Sequence, residues 1–434
     1  MINKPKGTMD KLPRDIEKWR YVEEKFREVC HRFGFKEIRT PLFEYTKLFK
    51  RGVGETTDIV KKEMFSVISD ANLKKYSNGR FDLDKKGFTL KPEGTAPVVR
   101  SFVENKLYAD SQPTKLFYIT PCYRNENPQA GRLREFHQFG IETFSSDSAM
   151  TDAEIIAVAI RFLDELGIKD VKLKINSVGC KKCRPVYNQA IKDYLEPRLD
   201  KFCPACQERY ETNPLRILDC KVETCQSELV EVPKITDHLC DDCKNHFEML
   251  KKSLEAFGIE YEVDYKIVRG LDYYTKTAFE IITENIGSQS TICGGGRYDG
   301  LVQEIGGPEV TGVGFGLGIE RLIMTLEAEG ISFPKENTMD VFIVILGDKP
   351  KLEGLKIINK LRSNGISADF DHLERSLKAQ MRYANKMESK FTIILGENEI
   401  ENGTVNIKNM LTSEQIEVKI EDIAEKTSEL LGGK

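Results

Sequence analysis

The ten residues Gly312–Arg321 (GVGFGLGIER) constrain the fold of this 434-residue chain most strongly, because four glycines occur inside an apolar, strand-like run. Glycine weakens a strand and often marks the close approach of a ligand or of another backbone, so these positions can leave room for a flat ring. Arg321 follows where a helix is expected to begin, and its guanidinium can stack on an aromatic base or bind phosphate. The chain contains no Walker A phosphate loop. The alternative is a glycine-rich turn that is packed for steric reasons.

A strand, a long charged loop and a second strand are predicted over 115–144, and the segment Tyr118–Glu142 lies within them. Arg124 and Glu126 lie two residues apart at the end of the first strand, so their side chains point to the same face. Arg132 and Arg134 lie in the loop, and Gln138, Gly140 and Glu142 occupy alternating positions on one face of the second strand. Such a face suits a polar ligand that carries both anionic and cationic groups. The alternative is an antiparallel hairpin whose polar face is solvated.

Two shorter segments add aromatic residues to this set. Arg269–Tyr274 reads RGLDYY, and Cys293–Tyr298 reads CGGGRY. Tyrosines beside an arginine and a run of glycines can line a pocket for a small aromatic or amide-bearing ligand. The alternative is a pair of core tyrosines next to a hairpin turn.

The spacing of apolar residues predicts regular elements around these segments. Helices are expected at 14–33 and 151–166, a strand at 171–176, and a surface hairpin or loop in the polar stretch 69–87. After Pro334 strands alternate with helices, which predicts a small parallel α/β domain. Its expected elements are the strands Val341–Leu346, Ile366–Phe370 and Phe391–Leu395 and the helices 351–363 and 375–387.

Eight of the eleven cysteines fall within residues 177–258. They form four close pairs: Cys180 and Cys183, Cys203 and Cys206, Cys220 and Cys225, and Cys240 and Cys243. Nineteen residues separate Cys183 from Cys203, a gap that occurs in structural zinc sites. Eight thiolates can hold one or two tetrahedral Zn²⁺ ions, with His246 as an alternative ligand and with the pairing left open. The alternative is a set of reduced cysteines without a metal.

Charge and hydropathy exclude some classes of protein. The formal net charge is −4, with 65 Lys+Arg against 69 Asp+Glu, so a nucleic-acid partner would need a local basic surface. The chain lacks a run of about 18 apolar residues, so no transmembrane helix is predicted. Met1–Arg20 also lacks the apolar centre of a secretory signal. We therefore expect a cytoplasmic protein whose cysteines are reduced or metal-bound.

Taken together, these segments resemble the three motifs of class II aminoacyl-tRNA synthetases. Residues 39–45 (RTPLFEY) resemble motif 1, Arg124–Glu142 resembles motif 2, and Gly314–Arg321 (GFGLGIER) resembles motif 3. RGLDYY and GGGRYD resemble the two signature peptides of the histidyl-tRNA synthetases, and the start KPKGTMDKLP is also similar to that family. The resemblance covers nearly the whole chain.

The resemblance implies a multidomain chain that combines α+β and α/β parts. An antiparallel-sheet catalytic core is expected in two parts, 1–176 and 261–332. A mostly helical, cysteine-rich insertion is expected at 177–260, and a C-terminal α/β anticodon-binding domain at 338–434. The family pattern also implies a homodimer that forms through motif 1.

The resemblance further implies a histidine–tRNA ligase that uses ATP with Mg²⁺. Arg124 and Arg269 would then be catalytic, because they would bind the α-phosphate while the carboxylate of histidine attacks it. Arg321 would sandwich the adenine and reach the γ-phosphate, and Glu126 would help to position the adenine. Positioned cations stabilise the charge that accumulates on the α-phosphate.

By the same resemblance, the histidine site has three parts: Glu93, Thr95 and Gln138 around the ammonium, Glu142 and Tyr274 at the imidazole, and Tyr273 and Tyr298 along the wall. Arg132 and Arg134 would reach the acceptor end of tRNA(His). The candidates for anticodon contacts share one predicted helix: Arg375, Lys378, Gln380 and Lys386. The alternative for that helix is a solvated charged face.

Two other functions are compatible with this fold. One is the regulatory subunit of ATP phosphoribosyltransferase, a paralogue that typically loses the anticodon domain and parts of the histidine signature. The other is an RNA-binding regulator without catalysis. Intact RGLDYY, Arg124 and Arg321, together with about a hundred residues after Gly330, favour the enzyme. Histidine-dependent exchange of pyrophosphate with ATP separates these functions, because only a synthetase catalyses it.

Overall fold

The chain consists of two units in the computed structural model, Met1–Phe333 and Pro334–Lys434. The structure describes residues 1–55, 57–268, 271, 273–283, 291–334 and 339–432. The finer division that the sequence predicts, with an insertion at 177–260, stays a prediction. Within the described residues, no helix is both long and apolar enough to cross a membrane.

The first unit contains both helices and strands. Its helices are α1 (Pro13–Arg32), α2 (Thr46–Val53), α3 (Asp70–Ser77), α4 (Leu83–Lys86), α5 (Thr95–Glu104), α6 (Ala149–Glu165), α7 (Cys183–Leu195), α8 (Pro204–Thr212), α9 (Glu223–Glu228), α10 (Asp241–Ala256), α11 (Leu301–Glu304) and α12 (Ile319–Ala328). Its strands are β1 (Lys36–Glu37), β2 (Phe43–Tyr45), β3 (Ser66–Val67), β4 (Phe88–Leu90), β5 (Thr114–Tyr123), β6 (Glu135–Phe144), β7 (Val171–Ser177), β8 (Glu262–Val263), β9 (Thr275–Thr283), β10 (Thr291–Arg297) and β11 (Gly312–Gly318).

One large sheet organises this unit, with strand order β1-β5-β6-β11-β10-β9-β7-β8. Its pairs are antiparallel except at the two edges, where β1 pairs with β5 and β7 pairs with β8 in parallel. A smaller sheet has the order β2-β4-β3. The strand, long loop and strand predicted over 115–144 are confirmed as β5, the loop after it and β6.

The two faces of the large sheet differ because successive side chains of a strand alternate. Phe139 and Ile141 of β6 face a core that is built with α1, α6 and α12. The ring of Phe139 stacks on Phe26 at 4.4 Å and meets Phe162 edge-on at 5.5 Å. Side chains at the intervening positions of β6, such as Gln138, lie on the opposite face, where the polar residues collect.

Helix α1 forms as the apolar spacing predicts. Trp19, Val22, Phe26 and Val29 are buried and recur at three- and four-residue steps along one side of the helix. Proline occurs in the first turn, where its missing N–H costs no intrahelical bond. The chain leaves the helix through Gly34, whose φ of +79° favours glycine.

The prediction for residues 69–87 is wrong, because this stretch forms α3 and α4 rather than a hairpin or loop. Neither helix has a buried residue, so the apolar periodicity that would indicate a helix is missing. The carboxylate of Asp82 accepts hydrogen bonds from the N–H groups of Asp84 at 2.9 Å and Lys85 at 3.2 Å. This capping stabilises the start of α4 without any burial.

In residues 339–432, the second unit contains a five-stranded sheet and four α-helices. They are β12 (Val341–Ile345), α13 (Pro350–Ser363), β13 (Ala368–Phe370), α14 (Leu377–Lys386), β14 (Phe391–Leu395), α15 (Glu397–Asn402), β15 (Thr404–Asn409), β16 (Gln415–Lys419) and α16 (Ile423–Leu430). The strand order is β13-β12-β14-β15-β16. The predicted parallel pairing holds for β13, β12 and β14, whereas β15 and β16 pair antiparallel, so the sheet is mixed.

A buried ion pair connects four elements of the first unit. The side chains of Arg297 on β10 and Asp152 on α6 are paired and both 0% exposed. Asp152 also binds His246 of α10 at 2.8 Å and the hydroxyl of Thr277 on β9 at 2.5 Å. Burial alone would raise the pKa of Asp152, but the His246 and Arg297 contacts outweigh it and lower the pKa.

We expect Arg297→Met to lower the free energy of unfolding by about 3–5 kcal/mol, because Asp152 would remain charged and buried without the guanidinium that pairs with it. Urea unfolding near pH 7 measures this loss. Arg161→Met is the matched control, since Arg161 is 56% exposed in its pair with Asp164, and it should change stability by less than about 1 kcal/mol. Equal losses in the two variants would contradict this assignment.

Candidate active site

A cleft of about 210 Å³ opens on the polar face of the large sheet. Five residues that the sequence nominates line it together: Arg124, Glu126, Arg132, Gln138 and Arg321. They come from the end of β5, the loop before β6, β6 itself and the first turn of α12. Residues nearly 200 positions apart therefore converge on one cavity, and three of them are cations.

Arg124 follows β5 directly and has two fixed neighbours. Its Nε donates to the carbonyl oxygen of Pro92 at 2.9 Å, and its guanidinium carbon lies 5.1 Å from the ring centroid of Phe136. These contacts orient the guanidinium toward the cleft before a ligand arrives. The sequence interpretation missed Phe136, although its place at the start of the returning strand was the available signal.

Arg321 makes hydrogen bonds to two backbone segments that line the cleft. Its Nε donates to the carbonyl oxygen of Gly131 at 3.1 Å, and Nη1 donates to that of Thr291 at 3.0 Å. Burial lowers the pKa of Arg321, and the nearby positive charge of Arg132 lowers it further. An anionic ligand would relieve this mutual repulsion of cations.

The other predicted residues of the charged loop take different positions. Glu126 forms an ion pair with Arg132, and burial raises the pKa of Glu126. Arg134 is absent from the cleft lining. Its Nε donates to the carbonyl oxygen of Glu126 at 3.2 Å, and its backbone N–H donates to Gly7 at 2.8 Å. Arg269, predicted to be catalytic, lies outside the described residues.

A second group of predicted residues surrounds Glu142, which is 1% exposed. The hydroxyl of Tyr298 donates to one carboxylate oxygen, and the hydroxyl of Tyr118 donates to the other at 3.3 Å. Tyr118 was not predicted, although it alternates with Leu116 and Thr120 on the face that carries Glu142. A side chain at Gly140 would overlap the Tyr118 ring, and one at Gly314 would overlap Glu142. These two glycines therefore make the space that both side chains occupy.

Burial raises the pKa of Glu142 to about 8, and the hydrogen bond from Tyr298 only partly offsets that effect. The carboxyl group therefore holds its proton near neutral pH in the ligand-free chain. A basic imidazole placed beside it can accept or share that proton.

The N-terminus of α5 supplies the next predicted residues. The carboxylate of Glu93 accepts hydrogen bonds from the N–H groups of Thr95 at 2.7 Å and Ala96 at 2.8 Å. The side-chain oxygen of Gln138 accepts from the N–H of Gly94 at 3.2 Å. Glu93 is 3% exposed, and burial raises its pKa.

Three predicted tyrosines form an aromatic wall near Glu142. The rings of Tyr273 and Tyr274 are 4.7 Å apart, and Tyr273 meets Tyr298 at 5.6 Å. All three are buried and share one apolar cluster with Tyr118. The structure therefore brings these predicted histidine-site residues together on the same side of the sheet as the cleft.

The eight cysteines of residues 177–258 form two groups of four. Cys180, Cys183, Cys240 and Cys243 make up the basal cluster, and Cys203, Cys206, Cys220 and Cys225 make up the distal cluster. Within each cluster the four sulfur atoms lie within 4.8 Å of one another. His246 belongs to neither cluster, so its nomination as a ligand is wrong, because its ring nitrogen binds Asp152 instead.

Two of these thiols form the thiolate, the species that binds metal, more readily than an ordinary cysteine does. Burial raises the pKa of Cys180, but hydrogen bonds from backbone N–H groups, including that of Lys182, outweigh it and lower the pKa to about 7. Cys203 follows the same pattern, with the N–H of Cys206 as a donor, and its pKa is also about 7.

Comparison with known proteins identifies the family of this chain. The family model described as "Histidyl-tRNA synthetase" matches residues 7–183 and 215–322, and the model described as "Anticodon binding domain" matches 340–430. The chain belongs to the histidyl-tRNA synthetase family. A histidine–tRNA ligase of Caldanaerobacter subterraneus is 56% identical, over 96% of this chain and 97% of the relative. One of Clostridioides difficile is 54% identical, over 98% and 99%.

Solved structures agree with this membership and confirm the predicted fold class. The apo histidyl-tRNA synthetase of S. aureus is 40% identical, with a TM-score of 0.81, and the match covers 98% of this chain and all of that one. A Bacillus halodurans protein described as an ATP phosphoribosyltransferase regulatory subunit/histidyl-tRNA synthetase is 20% identical, with a TM-score of 0.63. That match covers 91% of this chain and 98% of the other, and at this identity it shows the fold alone.

For this histidyl-tRNA synthetase family member we expect Glu142→Gln to change how stability depends on pH. Because the folded-state pKa of Glu142 lies above the unfolded one, the stability present at low pH is lost as the pH rises through about 8. Glutamine does not ionise in this pH range. The free energy of unfolding of the variant, relative to that of the wild type, should therefore rise by several kcal/mol between pH 5 and 9, at roughly 1.4 kcal/mol per pKa unit.

Urea unfolding at pH 5, 7 and 9 measures this gain. Glu260→Gln, at an exposed position, is the control, and its free energy of unfolding should differ from that of the wild type by the same amount at each pH. If the difference in free energy of unfolding between Glu142→Gln and the wild type is also the same at each pH, the carboxyl group is not held protonated by burial.

Proposed function

We propose that the chain ligates histidine to tRNA(His) in two steps, both at the cleft on the polar face of the large sheet. Histidine and ATP first give histidyl-adenylate and pyrophosphate, and the histidyl group then moves to the 3′ end of the tRNA. The observation that carries this proposal is the convergence of Arg124 and Arg321 on a cleft that also contains Gln138, next to the Glu142 cluster.

In the first step, a carboxylate oxygen of histidine attacks the α-phosphorus of ATP. The bond from the α-phosphorus to the bridging oxygen breaks, and pyrophosphate leaves with that electron pair. Arg124 is proposed to hold the α-phosphate oxygens, and Arg269 to approach them from the other side, because fixed cations stabilise the charge of the transition state. Arg321 and Glu126 are proposed to hold the adenine. Mg²⁺ accompanies ATP and neutralises phosphate charge.

The buried polar cluster gives a reason for selecting histidine. Glu142 and Tyr274 are proposed to address the imidazole nitrogens, with Tyr273 and Tyr298 around the ring. Glu93, Thr95 and Gln138 are proposed to hold the ammonium group. An apolar amino acid of similar size would leave these buried groups without partners, which discriminates strongly against it.

For the second step, each unit is proposed to bind a different part of the tRNA. Arg132 and Arg134 are proposed to approach the acceptor end, and the second unit is proposed to bind the anticodon. Lys378 and Lys386 on α14 remain candidates, as does Arg375, which precedes that helix. Gln380 is 3% exposed and hydrogen bonds to the backbone of Ile345, so its role is structural.

Three further features complete the proposal. Structural Zn²⁺ is proposed for the cysteine clusters, since four-thiolate sites leave no open position for catalysis. A second copy of the chain is proposed to pack on the motif 1 segment, where Leu42, Phe43 and Tyr45 are each about half exposed. The cytoplasm is the proposed compartment, where cysteines stay reduced or metal-bound.

We expect Arg124→Ala to lower the rate of histidine-dependent ATP–pyrophosphate exchange by about 10²–10³, because one fixed donor to the developing charge is lost. Isotope exchange at saturating histidine measures this. Arg161→Ala is the control, since Arg161 is exposed on α6, away from the cleft, and it should exchange at the wild-type rate. Wild-type protein that exchanges without histidine, or not at all, would refute the proposed function.

A further inference from the structure

The basal and distal clusters differ in their position in the chain. Cys180 and Cys183 follow the core strand β7, and Cys240 directly precedes α10, the helix that returns to the core and carries His246. The basal cluster therefore joins the outgoing and returning ends of the cysteine-rich segment. The distal cluster lies between these ends, and most of its cysteines belong to the apolar core that α7 and its neighbours form.

The geometry of both clusters fits zinc rather than disulfides. A tetrahedral Zn²⁺ with Zn–S bonds of about 2.3 Å places its sulfur ligands about 3.8 Å apart. The sulfur atoms of Cys180 lie 3.7 Å from Cys183 and 3.8 Å from Cys240, and Cys203 and Cys220 are 3.9 Å apart. A disulfide needs about 2.05 Å, and all eight cysteines are free.

Backbone donors support the same assignment. The N–H of Lys182 donates to the sulfur of Cys180 at 3.4 Å, and that of Cys240 donates to Cys183 at 3.1 Å. In the distal cluster the N–H of Cys203 donates to Cys225 at 3.2 Å. Hydrogen bonds of this kind spread the negative charge of ligating thiolates and hold their orientation.

A short path leads from the basal cluster to the proposed histidine pocket. Arg184 follows Cys183 directly, and its guanidinium donates to the carbonyl oxygens of both Val178, at 3.4 Å, and Tyr274. On the other side of Cys180, the backbone of Gly179 accepts from the N–H of Lys276 at 2.9 Å. The residues on either side of the Cys180–Cys183 pair, Gly179 and Arg184, are thus hydrogen-bonded to the backbone of the segment from Tyr274 to Lys276.

We propose that the two clusters are separate zinc sites with different consequences: the basal zinc positions the histidine pocket through Arg184, whereas the distal zinc stabilises the cysteine-rich segment alone. Arg184 is a positioning residue, since it acts on Tyr274 and not on the substrate. This inference rests on the proposed histidine–tRNA ligase function. Its consequence is that loss of the basal zinc affects histidine binding more than ATP binding.

The test compares two matched variants of the full chain, Cys180→Ser and Cys203→Ser, which each alter the first cysteine of a C-x2-C pair. Elemental analysis of the purified wild type should give about two zinc ions per chain, and each variant should lose about one. Cys180→Ser should raise the KM for histidine about ten- to hundredfold, with the KM for ATP within about twofold. Cys203→Ser should lower the Tm while keeping the histidine KM.

Arg184→Ala separates positioning from metal binding, and it serves as well if Cys180→Ser does not fold. This variant should keep both zinc ions and still raise the histidine KM. Lys192 is another cationic residue of α7, and Lys192→Ala is the control, which should change neither the zinc content nor the histidine KM.

The outcomes separate the two proposals. A wild type without zinc would overturn the metal sites. Loss of one zinc ion in Cys180→Ser with an unchanged histidine KM, together with an unchanged histidine KM in Arg184→Ala, would overturn the coupling alone. A wild type that holds zinc but shows no histidine-dependent exchange would overturn the proposed function and the coupling with it, while the zinc content would still support the two sites.

Discussion

The pairing of β6 with β11 is the interaction on which the site depends. Its register places Gly314 opposite Glu142 and Gly318 opposite Gln138, so a residue without a side chain faces each polar one. A slip by one residue would move all of these side chains to the other face of the sheet. The apolar residues between them, packed against α1 and α6, prevent that slip because they would have to enter water.

The same burial that fixes the register sets the electrostatics of the cleft. On one side, burial raises the pKa of Glu142, so this group is neutral near pH 7. On the other side, burial and repulsion from the neighbouring cations Arg132 and Arg124 lower the pKa of Arg321. Both states cost stability without a ligand, and a base beside Glu142 or an anion beside Arg321 would relieve that cost. The charged core pair of Arg297 and Asp152 shows that this sheet also buries ions that have full partners.

The cysteine-rich segment is connected to the backbone at Tyr274 by hydrogen bonds. Arg184 contacts the carbonyl group of Tyr274, and it directly follows a cysteine of the basal cluster. The matched part of the family model omits residues 184–214, which include Cys203 and Cys206 of the distal cluster. The four cysteines of the basal cluster all lie within the matched ranges, whereas the distal cluster combines two matched cysteines with two that the model does not match.

Local periodicity by itself determined α1, β5, β6 and the parallel part of the second unit, since apolar spacing reports the face that each element buries. It failed at α3 and α4, which bury nothing, and at β16, which pairs only after the chain turns back. The nineteen-residue gap between Cys183 and Cys203 suits a single zinc site, yet the fold separates these cysteines into different clusters. Partners as distant as Cys180 and Cys240, or Tyr118 and Tyr298 around Glu142, were decided by tertiary structure alone, because spacing along a chain does not encode which strands and helices become neighbours.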